Sequence, residues 1–299
     1  MAGGYMKYIE KHPFIMIVTG IIGISVSSIL VRFSQAPASV TAAWRLIWTV
    51  ILMTPVVFGK GDIRRELFSV GGKNLLLSAL SGVFLALHFL LWFESLNHTS
   101  VASSTTIVCT EVIWVALGYC VFLKGRLSSR AILAIGVTFC GSAVIALADS
   151  SGSGMHLYGD LLALAAAIAV AVYTLIGGIV RQKASTSVYT YLVYCACMMT
   201  LLLVCAMQEV NCLAYGMQPV LIGFMLALFS TIMGHSIFSW CLKYYSPSFV
   251  SASKLCEPVA AGLMAAVLFA EMPKPLQLLG SALILGGVYY YSVLERKNI

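Results

Sequence analysis

Residues Leu80–Glu111 read LSGVFLALHFLLWFESLNHTSVASSTTIVCTE, and residues Leu226–Glu257 read LALFSTIMGHSIFSWCLKYYSPSFVSASKLCE. Laid over each other without a gap, they align Leu96 with Leu242, Ser100 with Ser246 and Glu111 with Glu257. Each stretch is two apolar runs joined by a short polar turn, Leu96-Asn97-His98-Thr99-Ser100 in one and Leu242-Lys243-Tyr244-Tyr245-Ser246 in the other. Each also carries one acid well inside its second run. In the same register Gly141 meets Gly287. A repeat of this period sets the architecture, so the rest of the chain is divided around it.

Hydrophobic residues make up 60% of the 299 residues and charged residues 10%, where a soluble domain is about 25% charged. Each bilayer crossing takes roughly 20 apolar residues. The length therefore accommodates about ten crossings and leaves no room for a soluble catalytic lobe. Apolar runs bounded by charge, Pro or Gly predict spans at 14–33, 38–58, 74–96, 100–123, 130–149, 158–181, 186–207, 217–242, 247–270 and 274–294. Runs this long must satisfy their backbone hydrogen bonds internally, so they are helices. A membrane barrel would show short alternating segments instead. The run from Phe14 to Val31 is long enough to span and reads as an uncleaved first helix rather than a signal peptide.

The net charge of +7 is spread over the short connections, which argues against a nucleic-acid partner. With the N-terminus in the cytoplasm, fourteen of the eighteen Lys and Arg fall inside: Lys7, Lys11, Lys60, Arg64, Arg65, Lys73, Lys124, Arg126, Arg130, Arg181, Lys183, Lys243, Arg296 and Lys297. Arg32 and Lys274 fall outside, while Arg45 and Lys254 lie within spans. That bias predicts both termini cytoplasmic and a multi-pass protein of the cell inner (plasma) membrane. The halves, 1–150 and 151–299, then hold five spans each, and the second must enter the membrane from the opposite side. The expected fold is an all-α membrane protein of ten transmembrane helices, arranged as two inverted-topology five-helix repeats around a central cavity. The phosphate-binding pattern GxxxxGK[ST] is missing, so transport would be driven by gradients.

The chain resembles the drug/metabolite transporter superfamily in its EamA-like ten-helix branch. The resemblance rests on Ser95-Leu96-Asn97-His98-Thr99-Ser100-Val101-Ala102-Ser103-Ser104, on Cys256-Glu257-Pro258-Val259-Ala260-Ala261-Gly262 with Glu271 beyond it, and on Arg45 in the second span. In the first half Val112 and Gly125 stand where a Pro and a Glu would complete the pattern. The resemblance implies that spans one to four and six to nine surround the cavity, with five and ten peripheral. It also implies export or exchange of amino acids, small metabolites or toxic compounds.

Ionisable groups at membrane depth face protein or an aqueous cavity. Seven occur here: Arg45, His88, Glu94, Glu111, His235, Lys254 and Glu257. Glu111 and Glu257 are expected near mid-span, Arg45 and His88 toward the outside, and His235 and Lys254 toward the inside. Glu94 lies near a span end and reads as solvated. Lys254 and Glu257 are three residues apart, so Lys254 is expected to hold Glu257. Glu111 would then depend on Arg45 or on substrate, and would respond to loading. Trp92 and Trp114, flanking Glu94 and Glu111, are the aromatic candidates for the cavity wall. The substrate path is thus read as Arg45, His88, Trp92, Glu111, Trp114, His235, Lys254 and Glu257. Of the nine cysteines most lie in apolar runs and read as packing residues, without a disulfide framework or metal site. Glycines such as Gly141 and Gly287 permit close helix approach.

A cavity with both signs of charge suits a zwitterion, which makes a secondary exporter or exchanger of amino-acid-like metabolites the first reading. An organic-cation or drug transporter is the alternative. An intramembrane enzyme is remote, because HExxH, GxSxG and paired-aspartate motifs are missing. No cofactor is expected. The partners are the lipid bilayer and a small solute, and assembly stays open between monomer and homodimer.

Overall fold

The protein is described by a computed structural model covering residues 13–99, 104, 107–149, 157–257, 259–260, 263 and 275–296. These residues are predominantly helical, and no strand occurs among them. The helices are α1 (Pro13–Ser25), α2 (Ser27–Arg32), α3 (Ala38–Gly59), α4 (Gly61–Phe68), α5 (Gly72–His98), α6 (Glu111–Phe122), α7 (Ser129–Asp149), α8 (Leu157–Val180), α9 (Thr186–Met207), α10 (Met217–Cys241), α11 (Pro247–Lys254) and α12 (Pro275–Arg296). Six segments are long and apolar enough to cross a membrane, and Glu111–Phe122, Ser129–Val144 and Leu278–Tyr291 are shorter apolar stretches. Polar turns start several helices. Ser185 Oγ accepts from the Val188 N–H to cap α9, and Ser246 Oγ accepts from the Phe249 N–H with Pro247 opening α11. Both termini, the boundary at 150–151, Pro258, Glu271 and Lys274 lie outside the described residues.

Three expected spans are not continuous helices. The first is divided at Val26 between α1 and α2. In the fourth, a turn at Cys109–Thr110 precedes α6, and in the ninth a turn at Leu255–Cys256 follows α11. The two turns are repeat equivalents with the same local bond. The Thr110 N–H reaches the Ile107 carbonyl at 3.0 Å, and the Cys256 N–H reaches that of Ser253 at 3.2 Å. Both are tightened i→i−3 bonds that end an α-helical turn. The eighth span is one helix, but its middle, Leu226–Ser236, is π-helical, while its counterpart α5 is α-helical throughout. An unexpected short helix, α4, fills the connection after α3.

The packing of α7 on α12 displays the symmetry directly. A methyl group added at Gly141 would lie 2.7 Å from the Gly280 carbonyl oxygen and 2.8 Å from Ile284 Cγ1. One added at Gly287 would meet Thr138 Oγ1 and the Ala134 carbonyl. Ala134 and Thr138 are the repeat equivalents of Gly280 and Ile284, so the contact maps onto itself when the halves are exchanged. Contacts advance along α12 as they retreat along α7, so the two helices run antiparallel. The two-fold axis between them therefore crosses the helices, which is the inverted-topology arrangement. The same exchange holds elsewhere: α8 packs on α5 as α1 packs on α10, and α9 on α5 as α3 on α10.

These glycines give a test with its control in the same helices. Gly287→Ala and Gly141→Ala force backbone or side-chain shifts and are expected to cost about 1–3 kcal/mol each. An added methyl at Gly136 or Gly286 meets nothing within 4 Å. Those alanines should leave the melting temperature in detergent unchanged or raised. Equal effects at all four positions would contradict this packing.

Candidate functional site

One cavity of about 60 Å³, enough for a few water molecules, lies between the halves. Its wall includes Arg45 from α3, His88 and Trp92 from α5, Glu111 from α6, His235 from the π-helical part of α10, Lys254 from α11, and Glu257 just past the second turn. Seven of the eight expected site residues are thereby brought together. Trp114 is not among them. One turn beyond Glu111, its ring fills the seam of α6 and α8 against Val115, Ala171 and Leu175. Glu94 is half-exposed at the end of α5, with His98 Nε2 at 3.0 Å from its carboxylate. Among the described residues, none of the wall comes from α7 or α12.

The charge pairing differs from the sequence expectation. Lys254 Nζ lies 2.8 Å from Glu111 Oε1, joining the second half to the first, and Thr174 Oγ1 donates to the same oxygen at 3.1 Å. The pair is nearly buried, at 12% and 9% side-chain exposure. Lys254 does not hold Glu257, although the two are three residues apart. The turn at Leu255–Cys256 interrupts the helical face they would share. Helix ends reinforce the observed pairing, because Lys254 closes α11 and Glu111 opens α6, each at the terminus whose dipole favours its charge. Among the described residues the Glu257 carboxylate has neither hydrogen bond nor salt bridge, though Lys254 and Arg45 act on it electrostatically.

Arg45 does not pair with Glu111 either. Its Nε donates to Thr231 Oγ1 at 2.7 Å, and its guanidinium lies over the Phe89 ring at 4.1 Å. The residue is 1% exposed, yet Nη2 has no acceptor among the described residues. Three further buried groups on this wall lack a partner among the described residues: Trp92 Nε1, Ser230 Oγ and His235 Nδ1. Unpaired buried donors cost about 1–3 kcal/mol each, so a cluster of them marks a surface shaped for acceptors. His88 is held otherwise. Its Nδ1–H donates to the Ala166 carbonyl at 3.0 Å, and its ring stacks on Trp92. The His235 ring stands edge-on to Tyr173 and to Phe89, its own repeat equivalent, at 5.4 Å from the latter.

The two ends of the molecule differ. At one end, Gln218 Nε2 donates to the Phe33 carbonyl, and Gln218 Oε1 accepts from the Gln35 N–H. There Trp44 and Trp48 also donate to the Cys212 and Val220 carbonyls, tying α3 to the second half. At the other end a groove of about 880 Å³ opens among Arg126, Gln182, Lys243 and Pro247. Sequence reading missed Thr174, Thr231 and Ser230, since hydroxyls inside apolar runs carry no charge signal. All nine cysteines are free thiols.

Two repeats packed as an antiparallel pair around a buried, charged cavity define a membrane carrier. The model of the EamA-like transporter family matches residues 12–147 and again residues 157–293. The chain belongs to that family, within the drug/metabolite transporter superfamily, and is a membrane transporter of small molecules. Among solved structures 29 chains match. One, a crystal structure, aligns at 17% identity over 96% of this chain and 98% of its own, with a TM-score of 0.76. At that identity the likeness concerns the fold alone. No curated protein matches the chain.

Proposed function

We propose that the protein carries small zwitterions, amino-acid-like solutes first, by export or exchange. The observation that carries this reading is Arg45, a residue of the cavity wall whose buried Nη2 has no acceptor among the described residues. A solute carboxylate supplies one, and the cavity's acids serve the solute's ammonium. The wall holds two cations, Arg45 and Lys254, and two carboxylates, Glu111 and Glu257. A solute of zero net charge keeps that balance at low dielectric, where an uncompensated charge is costly. An organic cation would leave Arg45 without an acceptor, which weighs against the drug-carrier alternative.

The two-repeat division at 150–151, a plasma-membrane location and cytoplasmic termini belong to the same proposal. With that orientation the closed end carrying Gln218 faces outward and the basic groove faces the cytoplasm, from which an exporter loads. Proteoliposomes given a panel of amino acids, organic cations and carboxylates, with and without a pH gradient, test it. Saturable amino-acid flux is the expected result. Flux of organic cations alone would replace this reading with the alternative.

A further inference from the structure

We infer that Glu257 receives the solute's ammonium group, at the position where the repeat symmetry calls for a lysine and the sequence supplies Val108. The inference deepens the zwitterion reading and rests on it.

Among the described residues the cavity wall holds one ion pair. Lys254, from the second half, meets Glu111, from the first, at 2.8 Å. Exchanging the halves carries Glu111 to Glu257 and Lys254 to position 108. Both local frames survive that exchange, because the turns before Glu111 and Glu257 share the same i→i−3 bond. Residue 108 is valine, and it lines the same cavity as Glu257. The repeat thus builds two acid sites and equips one with its cation. Glu111 has Lys254 and the Thr174 hydroxyl, whereas the Glu257 carboxylate has no ion-pair or hydrogen-bond partner among the described residues. Valine is shorter than lysine by the outer methylenes and the ammonium, and Val108 and Glu257 line one cavity into which those atoms would reach. A primary ammonium from the solute matches that place in size and charge, while its carboxylate is left for Arg45 and the unpaired donors elsewhere on the cavity wall. Lys254 is then a permanent resident of one acid site, and the solute is the transient resident of the other.

Two measurements decide the matter, and the first needs no solute. Lys254→Val is expected to lower the melting temperature in detergent by several degrees. Adding Val108→Lys to it leaves Glu111 unpaired but should still recover part of the loss, because the cation then sits in the equivalent site against Glu257, and that gain should vanish when Glu257→Gln is added as well. No recovery overturns the inference. The second uses whichever amino acid wild-type proteoliposomes carry, with its decarboxylated amine and its deaminated acid as competitors (for leucine, 3-methylbutylamine and 4-methylpentanoate). Val108→Lys and Glu257→Gln should each slow amino-acid uptake at least tenfold and abolish competition by the amine, while the acid still competes. Wild-type uptake by Val108→Lys, or amine competition that survives both changes, overturns the inference with the zwitterion reading intact. A wild-type protein that carries no amino acid overturns that reading, and the melting data still decide the paired geometry.

Discussion

Lys254→Ala should destabilise the protein by about 3–5 kcal/mol, the usual penalty when one partner of a buried ion pair is removed. The loss arises because Glu111 keeps its charge or takes up a proton without its 2.8 Å partner, with the Thr174 hydroxyl as its remaining ligand. The pair also fastens α11 to α6 across the two halves, so both broken spans loosen together. Adding Glu111→Gln should restore much of the stability, because a neutral amide retains the Thr174 contact and leaves no isolated charge. A thermal or denaturant double-mutant cycle in detergent reads the coupling directly, with about 0.5–3 kcal/mol expected for residues in contact. Simple additivity of the two single changes would show that the pair is not a unit.

Arg45→Met should separate stability from transport. A buried guanidinium with one nitrogen lacking an acceptor is replaced by an apolar chain of similar reach beside Phe89. Such replacements are often neutral or stabilising, so the melting temperature should hold or rise. Transport of carboxylate-bearing solutes should fall by about two orders of magnitude, since losing the partner of a buried charge costs about 2–5 kcal/mol and each 1.4 kcal/mol is tenfold. Arg45→Lys should not rescue it, because the ammonium lacks the planar fork that binds carboxylate with two bonds. An Arg45→Met protein that unfolds early while the survivors transport normally would make Arg45 a packing residue.

The membrane spans were legible because long apolar runs leave the backbone no alternative to helix. The repeat was legible because Glu111 and Glu257 fall in one register, and charge at membrane depth marks seven residues, of which all but the half-exposed Glu94 meet at the cavity. What failed was local geometry. Lys254 and Glu257 form a pair only if the helix between them is unbroken. Pro258 was the available warning, since a proline cannot donate to the carbonyl four residues back, which is that of Lys254. The first half breaks at the same point with Val112 in that position, so proline alone does not make the turn. The π-helical stretch in α10 left no compositional trace, because its residues are as apolar and as helix-compatible as those of α5. Trp114 was misjudged for a related reason: one turn of helix from Glu111 is also about 60° around it, enough to aim a large ring into the neighbouring seam.

Phe89 and His235 are equivalents that touch each other, which they can do only if the axis relating the repeats runs between them. A site on such an axis has a degeneracy problem. Were its two sides chemically identical, a head-to-tail solute would fit equally well in either of two opposed orientations. Holding one orientation ten to one requires about 1.4 kcal/mol of difference between the sides. The chain supplies that difference through mismatched equivalents: histidine against phenylalanine at the axis, and lysine against valine beside the acids. On the proposed zwitterion reading, the common frame gives the halves matching roles about the membrane plane, and the mismatches set which end of the solute goes where.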